Sequence, residues 1–427
     1  MKNPFSIHVV MVVLWAMLML LVGCAAEQPA HRTVLCLPVY GQSLALGEEA
    51  TRITDFDALV EQSDGRIFTQ RLDHDFGYFD LNGTKELAKR LLGRDSRSFE
   101  LSSYTMALDL VRQVGADTVV CIFPGGQGAT PYMGIAPGTE PYERLLSDIA
   151  QARDEALGRG WDFVVPALCW MHGETDMERR TRIDYAHAMR QFAERLNADV
   201  ARLTGQTTPV RIVSYQTNQL TMAPHFRPLD FDCPEVSVAQ AQMELIRDDS
   251  LFWASSPVYP YTFAHEGIHL TAEGQQQVGH RAARAVLGII RGGERQQGLV
   301  PLSVSACDSS VVVRLHVPCP PLRFDTVSVA KAPCYGFSVV TPDGRDIALD
   351  TAISGDSVIV RCSAWTEGCS VRYAVNGSPG TTGPLFGPRG NLCDSAPAIV
   401  PVGDAASTTA VGMLVNWCFM FSSLAMP

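Results

Sequence analysis

Residues 264–275 read AHEGIHLTAEGQ, and two chemistries share these letters. His265 and His269 are separated by Glu266 and two further residues. On a helix they would stand one turn apart and could hold one metal ion between two imidazoles. Glu266 also lies three residues before His269, and an acid so placed can fold back and orient an imidazole as a general base. The local sequence favours the second chemistry. Gly267 and the β-branched Ile268 are poor helix residues, and PVYPY (257–261) precedes them. The next helical pattern opens at Thr271, a good N-cap, with Glu273 in the first turn. This spacing predicts His269 on a loop just ahead of a helix, and no third metal-ligand motif follows.

A base of this kind needs a nucleophile at a strand end. Ser43 answers, two residues past Gly41 in the stretch TVLCLPVYGQSLALG (33–47). Gly41 permits a sharp turn there and Gly47 closes the loop. Taken singly these residues carry little. A loop serine is usually a turn residue, and a histidine beside a helix is often a surface group. The constellation of Ser43, His269 and Glu266 is what points to acyl transfer.

Short buried strands alternating with amphipathic helices must position these groups. Strand patterns cover 33–40, 117–124, 162–170 and 210–216. Helical patterns cover 102–115, 141–158, 182–203, 237–248 and 271–293. That alternation predicts a mostly parallel sheet with helices on both faces, binding its ligand beyond the carboxyl ends of the strands. The loops there begin GQS (41–43), GGQG (125–128) and MHGETD (171–176). After residue 299 the texture turns to short Val-rich runs divided by turn residues, which predicts a small β-sandwich. The apolar stretch 410–421 reads as a closing strand.

The chain has 427 residues, is 46% apolar and carries a net charge of −11. It is globular, and the acidic balance without a basic cluster argues against nucleic acid as a partner. Lys2 and the apolar run from Val9 to Gly23 read as an export signal. The run ends LVGC at Cys24, which resembles a bacterial lipobox. Residues 1–23 are then a signal peptide, 24–32 a lipidated linker, 33–298 the α/β domain and 299–427 the β-sandwich with its tail. Cys24 would carry the lipid, tethering the domain to the bacterial cell envelope at the outer membrane, so a membrane is one expected partner. Of the twelve cysteines, Cys36, Cys121 and Cys169 sit in strand-like runs and read as core residues. Seven others follow residue 300, where disulfides are open to them. There is no C-x-x-C pair.

GQS at 41–43, the glycine loop at 125–128, WMHGETD at 170–176 and EGIHLTAEGQ at 266–275 occur in the order seen in SGNH-hydrolase-fold carbohydrate esterases. They resemble most the sialate O-acetylesterase and acetylxylan esterase group, over roughly 33–292. The resemblance implies a three-layer α/β/α, flavodoxin-like domain and a Ser43–His269–Glu266 triad. It implies an O-acetylated carbohydrate as substrate and neither metal nor cofactor. It places Gly125, Gly126, His172, Gln42 and Glu174 around the oxyanion and substrate. Asp176 and Glu174 would brace their loop, Gln127 and Trp170 would touch sugar or core, and His265 would stand by. Three residues depart from the group's pattern: Leu44 replaces Asn, Glu266 replaces Asp and His172 replaces Gln. The alternative is a lipid-anchored glycan-binding protein that keeps the fold with little or no turnover.

Overall fold

The computed structural model of the protein describes residues 31–76, 99–218, 237–264, 267–307, 309–397 and 414–424. Cys24, His265 and Glu266 lie outside these residues.

The first part of the chain is α/β. In order it runs β1 (Thr33–Gly41), α1 (Phe56–Gln62), β2 (Ile67–Phe68), α2 (Ser102–Val111), β3 (Thr118–Gly126), α3 (Glu140–Gly158), β4 (Asp162–Val164), β5 (Ala167–Met171), α4 (Glu174–Arg179), α5 (Tyr185–Thr204), β6 (Arg211–Gln216), α6 (Val238–Asp248), β7 (Phe252–Pro257) and α7 (Ala272–Ile290). The strands form one parallel sheet in the order β2-β3-β1-β5-β6-β7, with β4 also beside β1. β1 is central, and every residue from Val34 to Gly41 is buried. That is why its sequence is a continuous apolar run and not an alternation. Helices flank the sheet: α2 packs on α7, and α5 packs on both α3 and α6. His280 of α7 bonds Asp109 of α2 at 2.6 Å.

The expected strand over 162–170 is in fact two, β4 and β5, interrupted at Val165–Pro166. Pro166 has no N–H to give to the ladder, and its carbonyl accepts from Arg211 at 3.0 Å. The MHGETD loop also differs from its reading, because Glu174 opens the short helix α4. Cys36, Cys121 and Cys169 are buried in the core as expected.

From Val300 onward the sheets are antiparallel. They comprise β8 (Val300–Cys307), β9 (Ser310–His316), β10 (Arg323–Phe324), β11 (Phe337–Val340), β12 (Ala348–Ser354), β13 (Ser357–Cys362), β14 (Ser370–Tyr373), β15 (Leu392–Cys393) and β16 (Phe421–Leu424), with the short helix α8 (Gly383–Phe386) before β15. They group as β12-β13-β9-β8, β11-β14-β16 and β10-β15. Nine cysteines among the described residues are free, six of them after residue 300. The tail runs back to the α/β part. Phe419 N donates to Leu299 O at 3.0 Å, and Gln216 exchanges two side-chain bonds with the backbone of Met420, at 2.9 and 2.8 Å.

Candidate active site

β1 ends between β3 and β5, and the fit is so close that only glycine is tolerated there. A Cβ on Gly41 would lie 1.9 Å from the carbonyl oxygen of Met171. One on Gly126, at φ +104°, would lie 1.9 Å from that of Gly41. The backbone continues this seam: Gln42 N donates to Met171 O at 3.1 Å and Gln127 N to Gly41 O at 3.0 Å. Ser43 follows immediately and starts a tight turn, its carbonyl accepting from Leu46 N at 3.1 Å and Glu48 N at 3.0 Å. The strand end thus fixes the serine backbone, with Gly125–Gly126 at the end of β3 as its neighbour.

His269 lies on a hairpin and not on a helix. Phe263 and Leu270 form an antiparallel bridge. Thr271 N donates to Thr262 O at 3.0 Å, Ala264 N to His269 O at 2.7 Å and Gly267 N to Ala264 O at 2.9 Å. Gly267 takes φ +77°, a left-handed conformation that glycine adopts without strain. Helix α7 then starts with Thr271 as its N-cap, accepting from Gly274 N. The helical geometry that two metal-binding imidazoles would need is absent from 267–271.

The histidine hairpin meets the serine turn. Gln275 Nε2 donates to Leu44 O at 2.9 Å, and His269 Nε2 lies 4.0 Å from Glu48 Oε2. Both of these side chains are mostly buried. Glu48 was not singled out by the sequence; among loop acids nothing distinguishes it until its neighbour is known. Burial, with a smaller contribution from Glu49, pushes its carboxyl up to about 7. Its Oε1 has no hydrogen-bond partner among the described residues.

The 172–176 segment sits behind this edge as a buried brace. His172 is fully buried, with Nδ1 3.0 Å from the Tyr185 hydroxyl and Nε2 3.0 Å from Thr130 O. A carbonyl needs a donor, so Nε2 carries the proton and Nδ1 accepts from Tyr185. Burial lowers its pKa, which fits a neutral ring. Both nitrogens are therefore engaged, and the expected side-chain donor to the oxyanion is replaced by a structural tie. Glu174 accepts from Tyr215 in a short hydrogen bond, and burial raises its pKa. Asp176 Oδ2 accepts from Tyr132 N at 2.8 Å. Gln42 turns inward, its Oε1 accepting from Gly173 N at 3.4 Å and Thr175 N at 3.3 Å at the start of α4. Trp170 is core, bonded to Tyr185 at 3.0 Å. A separate cleft of about 600 Å³ lies between α7 and β10, lined by Gln277, Arg281, Phe324 and Trp417; neither Ser43 nor His269 lines it.

No curated protein matches the chain. Among solved structures it is similar to a carbohydrate acetylesterase from Xanthomonas citri, with TM-score 0.56 and 14% identity over 91% of this chain and 80% of that one. It is also similar to NanS, with TM-score 0.42 and 14% identity over 62% of this chain and 99% of that one, and to a protein from Arabidopsis thaliana, with TM-score 0.43 and 17% identity over 60% and 98%. The first of these supports the fold. Residues 102–288, which span α2 through nearly all of α7 and include His269, match the family described as carbohydrate esterase, sialic acid-specific acetylesterase.

Proposed function

We propose that the protein is a serine esterase that removes O-acetyl groups from a carbohydrate. The observation that carries this reading is the meeting of two loops at one sheet edge. The Ser43 turn is tied at Leu44 to Gln275 in the first turn of α7, directly after the His269 hairpin, and the imidazole faces the serine turn at Glu48. The family match over 102–288 supports the acetyl-carbohydrate substrate.

In this mechanism Ser43 Oγ attacks the acetyl carbonyl while His269 takes its proton. Glu266 orients the imidazole and stabilises its charged form. The oxyanion is held by the backbone N–H of Ser43 and one from Gly125–Gly126 at the end of β3; each such donor contributes roughly 3 kcal/mol. The C–O bond to the sugar breaks as His269 returns the proton to the leaving oxygen. Water, deprotonated by His269, then hydrolyses the acetyl-serine to acetate and free Ser43.

The test is hydrolysis of 4-nitrophenyl acetate, and acetate release from O-acetylated saccharides, by wild type and Ser43→Ala. The substitution is expected to lower kcat by about 10³-fold or more. Equal rates would end the esterase reading. The engaged ring of His172 favours a second reading, a glycan-binding protein with little turnover, in which wild type and variant are equally inactive but bind sugar alike.

A further inference from the structure

The β-region reaches over to the histidine hairpin. Thr382 Oγ1 donates to the carbonyl of Gly267, two residues from His269, in a short hydrogen bond. α8 begins at the next residue, so Phe386 lies about 6 Å further along its axis. The segment around α8 is held firmly. Ser378 N donates to Phe386 O at 2.8 Å, Ala330 N to Pro384 O at 2.9 Å and Gly387 N to Gly383 O at 3.2 Å. Arg389 Nη1 donates to Gly387 O at 3.1 Å.

On this rigid support Leu385 and Phe386 stand 60% and 63% exposed. Phe386 is the one Phe, Tyr or Trp among the described residues that is mostly exposed. Met133, which follows the glycine loop in the chain, is 64% exposed. Fixed, exposed apolar side chains beside a reactive edge mark a binding surface, since burial does not explain them. A pyranose ring presents an apolar C–H face that fits an aromatic plane, while its hydroxyls stay in water.

We propose that Phe386, carried by the β-region on a segment pinned to the histidine hairpin, is a stacking platform for a pyranose ring of the acetylated substrate. This rests on the acetylesterase reading of the Ser43–His269 edge, and it gives the β-region a part in substrate choice.

The experiment compares kcat/KM for 4-nitrophenyl acetate with kcat/KM for a panel of O-acetylated sialic acid and O-acetylated xylo-oligosaccharides. Wild type, Phe386→Ala, Phe386→Trp and the exposed-surface control Val327→Ala are each measured. For the best sugar, Phe386→Ala is expected to lower the sugar-to-aryl ratio about tenfold through KM, with Phe386→Trp and Val327→Ala close to wild type. A Phe386→Ala ratio within about twofold of wild type overturns the proposal, as does an equal loss in Phe386→Trp. So does a wild type that cleaves the aryl ester, dependent on Ser43, but no sugar acetate; the esterase reading then survives alone. If the aryl ester is not cleaved the esterase reading fails. Calorimetric titration of wild type and Phe386→Ala with the same saccharides then decides the platform: binding lost in the variant upholds it, and binding unchanged or absent in both overturns it.

Discussion

At the residue scale, Glu48 is the group that the fold makes chemically unusual. It stands five residues past Ser43 and faces the imidazole that would serve as base. Its carboxyl moves from an ordinary value of 4.5 to about 7, chiefly through burial. The native protein therefore holds a proton that the unfolded chain has already released across this window. Stability must fall as pH rises from about 4.5 to about 7, and the penalty is complete above that, up to about 3 kcal/mol. Glu48→Gln removes the carboxylate and keeps the volume. The variant is expected to gain on wild type at about pH 8 and to match it at about pH 4. Denaturant melts at both values check this; an equal difference at the two would refute the assignment. The sequence carried no sign of this residue, because its peculiarity comes from burial, which only the packed fold imposes. The position of Ser43 beyond β1 was legible for the opposite reason. Its signal is local: a buried strand, a glycine at its end and a serine just beyond.

At the scale of elements, the sheet and its helices were largely readable. Their cause lies in patterns within single segments: β1 as an unbroken apolar run, and α7 with its Thr271 cap. What escaped was where side chains turn once elements meet. His172 follows β5 and, by resemblance alone, belonged at the oxyanion. In the fold it ties β5 to α5 through Tyr185 and to the glycine loop through Thr130. The two roles predict different damage. A lost oxyanion donor costs roughly 10²–10³-fold in kcat with the fold intact. A lost brace leaves the Tyr185 hydroxyl and Thr130 carbonyl short of a partner, at about 1–3 kcal/mol of stability. His172→Ala is therefore expected to lower the melting temperature, while kcat measured well below it falls by less than about tenfold. A kcat collapse in a variant that melts like wild type would return His172 to the oxyanion. The split of 162–170 at Pro166 was not readable from the proline alone, since Pro38 lies inside the unbroken strand β1.

At the scale of the whole molecule, the two parts of the chain are joined by more than the linker ahead of β8. The tail from Leu414 runs between them before closing the β11-β14-β16 sheet as its edge strand. Arg284 of α7 donates to Leu414 O at 2.6 Å and Arg281 to Val415 O at 3.3 Å. Ser422 N donates to the side chain of Gln240 on α6 at 2.9 Å. Gln216, at the end of β6 and fully buried, is the centre of this seam. Its Nε2 donates to Ala239 O at 2.8 Å and to Met420 O at 2.9 Å, and its Oε1 accepts from Met420 N at 2.8 Å. One amide thus satisfies both backbone groups of the residue just ahead of β16. Such a tie should make the α/β part and the β-region unfold together, because neither can release the tail without stranding buried polar groups on the other. Gln216→Ala removes the tie without touching Ser43 or His269. It is expected to cost about 2 kcal/mol or more and to loosen the coupling. Denaturant curves followed by far-ultraviolet circular dichroism and by tryptophan fluorescence should coincide in wild type and separate in the variant. Separate curves already present in wild type would show that the tail binds the β-region without coupling it to the sheet.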